Sequence, residues 1–340
     1  MTITDPTLAT IWFGIICFEV ALYVLLDGAD LGIGMLTLFP QKEEGRSLMM
    51  KTVGPIWDAN ETWLVIAAGT LFGAFPLAYA IILNALYIPV MIILFGLILR
   101  AIAFEFHEYS QHKHLWSAVF GWGSLLAVVG QGCAAGGLLS GILVENGQFA
   151  GDPFDWITPI TIFIAVGIVF SYVVVGYAYL IKKTDYQLHK ESFMRVLQAG
   201  AATFVAFLAA TIFLPEKHYV FFERWTVEPT RSMLFAIAAL IAVVGMLLAL
   251  RTYHRVHPQG LHALSLAVFV LGFLGLVIGV YPYLAPPSLT IFDAAASPTT
   301  LRFMLWGIGP LIPIICAYNW YIYRVFKRDL SGEHSEGYRA

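Results

Sequence analysis

The sequence predicts an all-α, polytopic membrane protein with nine transmembrane helices. Of its 340 residues, 59% are hydrophobic and 12% are charged, and the mean hydropathy is +0.78. Ordinary soluble domains carry fewer apolar and more charged residues. Apolar runs of about 20 residues, the length at which a helix spans a bilayer, follow one another along the chain. We therefore expect a single integral-membrane domain over residues 1–340 and no soluble domain.

Nine apolar runs can be placed on the sequence, and each is a predicted transmembrane helix. The connections between them are short, so none is expected to hold a nucleotide or to fold alone. Any chemistry then uses the helices or another chain, which makes a partner subunit an expectation from the start. The predicted helices lie near residues 8–36, 52–74, 77–106, 115–144, 159–181, 196–214, 232–250, 260–284 and 301–326.

The basic residues predict the orientation of these helices. They concentrate after the odd-numbered helices, and basic connections stay in the cytoplasm, so we predict a periplasmic N-terminus and a cytoplasmic C-terminus. The residues before the first run include Asp5 and no basic residue, so a cleaved signal peptide is not expected. On the predicted cytoplasmic side lie Lys42, Arg46, Lys51, Lys113, Lys182, Lys183, Lys190, Arg195, Arg251, Arg255, Arg324, Lys327 and Arg328, and on the opposite side Lys217, Arg224, Arg231 and Arg302.

The most informative stretch is the start of the second predicted helix, GPIWDANETWL. A helix that begins near Pro55, where a first-turn proline is tolerated, would carry Asp58 and Glu61 on one face. Trp57 and Asn60 would flank them. A carboxylate inside a bilayer costs about 2.5–3.5 kcal/mol on the mildest scale, so two within one turn need partners, water or protons. This stretch is the first functional hypothesis.

The first predicted helix carries a second acidic face. Glu19, Asp27 and Asp30 fall on one side at the helical period, and nearby glycines would let a neighbouring helix approach closely. Carboxylates on such a face would line a polar seam inside the protein. In the alternative, Asp27 and Asp30 end the helix at the cytoplasmic surface, where water solvates them. That alternative suits Glu19 least, because Glu19 lies deeper.

The third predicted helix supplies a counter-ion. Arg100 is a basic residue embedded in an apolar run, and it reaches the side on which the acidic residues of the first two helices meet, so we expect it to balance their charge. Glu105 is a further candidate near the cytoplasmic entrance. Buried carboxyls that exchange protons are the usual parts of a proton relay. The alternative is an ion-pair network that locks three helices together.

This chain by itself is not expected to hold haem or a metal. Haem in a bilayer core needs a His, Met or Cys ligand on a helix interior, whereas the histidines lie in connections or near helix ends. The cysteines are far apart without metal-ligand spacing, and isolated methionines are more often core residues. The residues concerned are His107, His112, His114, His189, His218, His254, His257, His262 and His334, Cys17, Cys133 and Cys316, and Met91, Met246 and Met304.

Three motifs together resemble subunit II of the cytochrome bd-type quinol oxidases, including the cyanide-insensitive branch. They are WDANETWL at 57–64, DGADLG at 27–32 and SLTIFD at 288–293. The specific likeness covers roughly residues 18–108 and 281–327, while residues 110–280 agree in helix number and loop length. Ala59 stands where the family more often has glycine.

The resemblance implies a nine-helix subunit in a bacterial inner (cytoplasmic) membrane. It implies a larger, homologous subunit I that carries two b haems and haem d, and in some members small single-helix accessory subunits. Such complexes oxidise quinol and reduce dioxygen to water with protons from the cytoplasm. Subunit II supports subunit I, contributes to the proton path and in some members holds a structural quinone. Lipid and quinone are the other expected partners, and no nucleic acid is expected.

For individual residues, the resemblance points to Asp58 as the leading proton-path candidate. Glu61, Asp27, Asp30 and Glu19 would assist, with Glu105 near the entrance, and Arg100 would balance charge. Trp57, Asn60 and Trp63 would pack the side that faces the haems or form the subunit interface.

Two other functions remain open at the level of sequence. A secondary transporter would couple the same carboxylates to proton or sodium movement, although the paired broken helices typical of such transporters are not evident. A purely structural assembly subunit would have no proton role. A transporter would act as an isolated chain without haem, and a structural subunit would tolerate Asp58→Asn without loss of turnover.

Overall fold

The computed structural model describes residues 5–39, 42–184, 196–206, 208–209, 240, 243–245 and 258–326. Within these ranges the protein is a helical bundle with two short hairpins. The helices are α1 Pro6–Leu36, α2 Glu43–Val53, α3 Trp57–Ala74, α4 Pro76–Ala85, α5 Tyr87–Tyr109, α6 Lys113–Ser140, α7 Pro159–Lys183, α8 Val196–Ala206, α9 Pro258–Val280, α10 Ile291–Ala294 and α11 Pro298–Val325. The strands are β1 Val144–Glu145, β2 Gln148–Phe149, β3 Tyr283–Ala285 and β4 Leu289–Thr290.

Six of the described helices are long and apolar enough to cross a membrane, namely α1, α5, α6, α7, α9 from Gly260, and α11. The 18-residue helix α3 is not among them, because polar residues fill its first two turns. The predicted segment 232–250 lies almost entirely outside the described residues, and 196–214 is described to Ala206 and at 208–209.

Helix α1 begins where its sequence provides a cap. The Asp5 carboxylate accepts hydrogen bonds from the backbone N–H groups of Thr7 and Leu8, at 3.1 and 3.3 Å. Pro6 occupies the first turn, where its missing N–H costs nothing. The helix then runs 31 residues to Leu36. Asp27 and Asp30 therefore lie in its interior, so the alternative in which they end the helix at a wet surface is wrong.

The predicted helix 77–106 is two helices in the structure. α4 ends at Ala85, α5 begins at Tyr87, and Leu86 between them has φ −116° and ψ 21°. Pro89 explains the break, because proline cannot donate a helical hydrogen bond and its ring collides with the carbonyl of residue 85. The apolar composition continues through the break, so hydropathy alone could not detect it.

The connection after α1 contains a helix that was not predicted. In α2, Leu48, Met49 and Val53 are buried against the bundle while Lys51 is exposed, which is the pattern of an amphipathic surface helix. The chain then turns through residues 54–56, so the next helix begins at Trp57, after Pro55 and five residues beyond the predicted start at 52.

Small residues allow two close helix crossings. A Cβ added to Gly32 of α1 would lie 1.9 Å from the backbone oxygen of Tyr172 in α7, and one added to Gly176 would lie 2.4 Å from Gly32. A Cβ on Gly96 of α5 would lie 2.4 Å from the backbone nitrogen of Ala127 in α6. Backbones that approach this closely are typical of membrane helix packing. The second crossing lies one turn before Arg100 and so fixes its position.

The helix ends meet at two opposite faces of the bundle. At one face, the Thr37 hydroxyl donates to the carbonyl of Ser117 at 3.2 Å, and Lys183 Nζ donates to the carbonyl of Phe326 at 3.2 Å. At the other, the Trp12 indole donates to the carbonyl of Leu301 at 3.1 Å. The hairpin β3–β4 closes this second face, with the N–H of Ile142 donating to the Pro286 carbonyl at 3.1 Å. We refer to these as the basic face and the hairpin face.

Candidate functional site

A cluster of charged side chains lies inside the bundle where α1, α3 and α5 meet. Arg100 Nη1 donates to Asp27 Oδ1 at 2.8 Å, and Arg100 Nη2 pairs with Glu61 Oε1. The side chains of Arg100 and Asp27 have no exposed surface, and that of Glu61 is 20% exposed. We call Asp27, Asp30, Glu61 and Arg100 the acidic cluster. Glu61 is the member of the cluster that reaches the surface of the chain.

Asp30 joins the cluster through an amide. Asn60 Nδ2 donates to Asp30 Oδ2 at 2.7 Å, and the Tyr323 hydroxyl of α11 donates to Asn60 Oδ1 at 3.2 Å. Asp30 and Asn60 are both essentially fully buried. These bonds tie α1, α3 and α11 together, although Tyr323 lies more than 250 residues from both partners in the sequence.

Within the described residues, the acidic cluster has more carboxyl groups than cations. Arg100 pairs with two of the three carboxyl groups, Asp27 and Glu61, and within the described ranges no cation pairs with Asp30. Asp27 Oδ2 and Asp30 Oδ1 are buried and find no hydrogen-bond partner there. Unpaired buried charge is expensive, and two excess carboxylates in a membrane interior are more so. The arrangement therefore calls for bound protons or water.

An aromatic wall closes one side of the cluster. The Trp57 ring stacks on Phe104, with ring centroids 5.3 Å apart, and the Arg100 guanidinium lies 5.8 Å from the Trp57 centroid. Arg100 is thus held both by carboxylates and by a cation–π contact. The structure places Trp57 against the charged residues, partly buried inside this chain.

A second polar group, whose members Gln131 and Tyr172 the sequence reasoning missed, lies on the α6 and α7 side of α1. Gln131 Nε2 donates to the Tyr23 hydroxyl at 2.7 Å, and the Tyr172 hydroxyl donates to Gln131 Oε1 at 3.1 Å. Tyr23 lies one turn before Asp27 on the same face of α1. The available signal was Gln131 itself, a lone amide in the apolar run of α6.

Asp58 and Glu105 are not brought into this cluster. Both residues are exposed, and neither carboxylate pairs with a cation in the part of the chain that the structure describes. Of the four carboxylates that the first two predicted helices were expected to bring to one side, Asp27, Asp30 and Glu61 meet in the cluster and Asp58 does not. Asp58 points away because it lies two positions, about 200° of helical turn, before the inward-facing Asn60, whereas Glu61 lies between these two directions and is only partly exposed.

The sequence analysis expected Asn60 and Trp63 to face the haems or the partner subunit. Both are fully buried within this chain, so they do not form a surface for a partner. Trp63 packs edge-on against Phe18, with ring centroids 6.1 Å apart. Its indole Nε1 has no hydrogen-bond partner among the described residues. The physical reason is the tight contact of α3 with α1, which encloses both side chains.

Glu19 lies deeper in the bundle than the acidic cluster. Its side chain has no exposed surface, and Thr70 Oγ1 donates to Glu19 Oε1 at 3.1 Å. The other oxygen, Oε2, is buried without a described partner. Glu19 is therefore a second isolated acidic position between α1 and α3, two turns from Asp27.

None of the described histidines has the surroundings of a haem ligand. His107 Nε2 lies 3.5 Å from Glu43 and 3.4 Å from the Ser47 hydroxyl at the basic face. His262 packs edge-on against the Tyr179 ring at 5.4 Å. Both imidazoles are therefore packed against other side chains of this chain.

Comparison with known proteins assigns the family. The family model of cytochrome bd terminal oxidase subunit II matches residues 8–326. The chain is 27% identical to cytochrome bd-I ubiquinol oxidase subunit 2 of Escherichia coli (strain K12), over 94% of both chains. It is also 27% identical to cytochrome bd ubiquinol oxidase subunit 2 of Bacillus subtilis (strain 168), over 96% of this chain and 97% of the relative.

A solved structure shares the fold. A chain of the bd oxidase from Geobacillus thermodenitrificans superposes with a TM-score of 0.76 at 17% identity, over 94% of this chain and 98% of that chain. The motifs, the bundle and the family match agree, and the chain therefore belongs to the cytochrome bd terminal oxidase subunit II family.

Proposed function

We propose that this chain is the non-haem subunit of a quinol:oxygen oxidoreductase and that its acidic cluster delivers cytoplasmic protons. The observation that carries the proton role is the charge imbalance of the cluster, in which two buried carboxyl groups and one partly exposed carboxyl group accompany the single cation Arg100. A site that is short of positive charge takes up protons readily. A purely structural ion pair would need one carboxylate per cation and would leave no buried oxygen unpaired.

The proposed path uses the free oxygens of the cluster. Glu61, the partly exposed member, exchanges protons with the outside of the chain, and Asp27 Oδ2 and Asp30 Oδ1 hold protons inside. Arg100 stays charged and orients Asp27 and Glu61 through its two terminal nitrogens. Asp58 begins the same helix at the basic face, where it collects protons from water. Asp58, Glu19 and Glu105 remain candidates on this path.

The partner surface is proposed to be formed by α3 and α11. In the most apolar window of α11, 6% of the residues are buried within this chain, compared with 61% in α7. Phe303 and Trp306 of α11 are largely exposed, as are Val65 and Phe72 of α3. Asp58, Val65 and Phe72 recur every seven residues, so they form one stripe. A larger subunit I that covers this stripe would receive protons near Asp58 and Glu61.

The haems are proposed to lie in subunit I. The redox chemistry of quinol oxidation and dioxygen reduction would belong to two b haems and a d haem there, as membership of the subunit II family implies. What this chain supplies is a packed surface, a fixed Arg100 and oxygen atoms that hold protons. Small single-helix accessory subunits and lipid would occupy the remaining exposed helix faces.

We also propose nine membrane spans in a bacterial inner membrane, with the N-terminus periplasmic and the C-terminus cytoplasmic. The support is that helix ends carrying Lys51, Lys113, Lys183 and Arg324 belong to one face of the bundle, as the positive-inside rule requires of a cytoplasmic face. The segment 232–250 would supply a span outside the described residues.

A structural quinone is proposed for an apolar groove between α6 and α7. The groove has a volume of about 420 Å³ and is partly open, and its lining includes Val129, Cys133, Trp156 and Val166. The buried indole nitrogen of Trp156 has no described partner and could donate to a quinone carbonyl. Val166→Trp would fill the groove, and quinone extracted from the purified complex should then fall. Unchanged quinone content would reject this site.

The main test is proton uptake by the whole complex reconstituted in vesicles. Asp30→Asn removes one acidic group and keeps a side chain that can still bond to Asn60. We expect it to slow proton uptake from the cytoplasmic side while the haem spectrum stays unchanged. Wild-type proton uptake in a fully assembled Asp30→Asn complex would support a purely structural subunit. Solute transport by the isolated, haem-free chain would support a transporter instead.

A further inference from the structure

A second line of polar side chains approaches the acidic cluster from the end of α7 and the start of α9. Tyr179 lies one turn before the end of α7, and His262 lies in the first turns of α9. Their rings are in edge contact at 5.4 Å, and each residue is less than 10% exposed. The Tyr179 hydroxyl and His262 Nδ1 are buried without a hydrogen-bond partner in the described ranges.

This pair is hard to explain by packing. An unpaired buried hydroxyl or ring nitrogen costs about 1–3 kcal/mol, and phenylalanine at 179 would fill the same space without that cost. Buried polar atoms of this kind are usually bridged by water. Two such atoms on rings that are in contact therefore indicate a small hydrated site between α7 and α9.

The inner end of this line reaches the acidic cluster through Tyr323. Its hydroxyl is bonded to Asn60, which in turn donates to Asp30. The hydrogen bond from Lys183 to the Phe326 carbonyl holds the end of α11, which carries Tyr323, beside the end of α7, which carries Tyr179. Asp30 Oδ1, the oxygen that Asn60 does not bond, is free to receive a proton within the described structure.

The outer end of the line opens at the basic face. The ammonium groups of Lys182 and Lys183 lie 6.0 and 5.9 Å from the centroid of the Tyr179 ring. Lys183 also bonds to the carbonyl of Phe326 at the end of α11. The ends of α7 and α11 therefore meet beside Tyr179. These helix ends are distant in sequence from Asp58 and Glu61 of α3.

From these contacts we infer that His262, Tyr179 and Tyr323 form a second, water-bridged branch of proton uptake that ends on Asp30. The inference rests on the proposed proton role of the acidic cluster. In each step a ring nitrogen or hydroxyl accepts one proton and releases another to the next water, so that O–H and N–H bonds alone form and break. Nothing is oxidised or reduced. Two branches then deliver protons to one cluster: the first enters at Glu61, and the second enters at His262 and ends on Asp30.

The test removes single hydroxyl groups from the reconstituted holoenzyme. Tyr179→Phe is the decisive variant, because the Tyr179 hydroxyl makes no described hydrogen bond whose loss could disturb the fold. Tyr323→Phe also loses its bond to Asn60 and is the second variant. Tyr321→Phe is the matched control, since Tyr321 lies on the same helix and is exposed. Haem content and complex stability confirm assembly in each case.

We expect Tyr179→Phe to slow cytoplasmic proton uptake by about tenfold, which is less than the roughly 100-fold or more typical of a lost proton-transfer group, because the Glu61 branch remains. It should also change the solvent isotope effect on uptake, which a packing role would leave unaltered. Tyr321→Phe should match the wild type in both measurements. A Tyr179→Phe complex with the wild-type uptake rate and isotope effect would overturn the second branch.

A parallel Asp30→Asn measurement separates this inference from the function on which it rests. If Asp30→Asn slows uptake and Tyr179→Phe does not, the acidic cluster delivers protons and the second branch is rejected. If neither variant slows uptake, the proton role of the cluster fails and the branch fails with it. If both slow uptake, the two proposals stand together.

Discussion

Arg100 and Asp27, 73 residues apart in sequence, form a fully buried ion pair with an Nη1–Oδ1 distance of 2.8 Å. The same guanidinium reaches Glu61 with its other terminal nitrogen. One side chain of α5 thus sets the positions of carboxyl groups on α1 and α3. Because arginine presents two parallel donors in a rigid plane, it can hold both carboxylates at once.

Removal of this cation should destabilise the subunit strongly. Arg100→Gln leaves carboxylates buried without their counter-ion, and the expected cost is about 3–5 kcal/mol. Thermal unfolding of the purified complex, together with its yield, measures this loss. Arg302→Gln is the control, because Arg302 forms an exposed ion pair with Asp5 at 3.5 Å, and exposed pairs contribute about 1 kcal/mol or less. Equal stability of the two variants would contradict the central role of Arg100.

Arg100→Lys should fail as a conservative replacement. A lysine ammonium keeps the charge but lacks the planar fork that contacts Asp27 and Glu61 together. We expect an assembled complex that turns over more slowly than the wild type, with a change in the pH profile of turnover. Steady-state quinol oxidation over a range of pH tests this. A pH profile identical to that of the wild type would show that charge alone is sufficient.

The two carboxylates of α3 differ in exposure, and this difference predicts that removing each one affects turnover differently. Glu61 contacts Arg100, whereas Asp58 is exposed and unpaired in the described structure. Glu61→Gln should therefore lower turnover more than Asp58→Asn, since water can replace an exposed proton carrier more easily than a buried one. Parallel measurements of oxygen consumption at matched haem content decide the order. The reverse order would place the main path along the exposed face of α3.

The close crossing of α1 and α7 predicts a severe effect from a single methyl group. Gly32→Ala would place Cβ 1.9 Å from the backbone oxygen of Tyr172, so the helices must separate. Overpacking of this kind costs about 1–3 kcal/mol or more. Gly14→Ala on the same helix is the matched control, because nothing lies within 4 Å of its added Cβ. The yield of assembled, haem-containing complex should fall for Gly32→Ala and stay unchanged for Gly14→Ala.

The buried side-chain amide of Asn60 should stabilise the complex through its hydrogen bond to Asp30. Asn60→Leu keeps a similar volume and leaves Asp30 Oδ2 and the Tyr323 hydroxyl without their partner. A lost partner in a buried site costs about 1–3 kcal/mol. Thermal stability of the complex measures this. Thr62→Val, which alters a hydroxyl bonded to the backbone of Asp58 at the exposed side of α3, is the comparison and should have a smaller effect.

Much of the arrangement was predictable because bilayer physics limits the choices. A carboxylate or a guanidinium in an apolar run has few ways to avoid its desolvation cost, so the sequence could point to Asp27, Asp30, Glu61 and Arg100 as one group. Prediction from local sequence failed where the same composition is compatible with two different local structures. Pro89 breaks a helix inside a continuous apolar run, and α2 forms in a connection that reads as a charged loop.

The sequence by itself determined the family, the membrane class and the residue types that must meet, because apolar length, isolated charge and the three motifs are properties of the chain. The tertiary structure decided which partners each charge has. It turned Asp58 outward and Glu61 inward by the rotation of α3, and it brought Tyr323 to Asn60 across more than 250 residues. Such choices depend on how deeply the helices interlock at Gly32 and Gly96, and that depth follows from packing between elements that are distant in sequence.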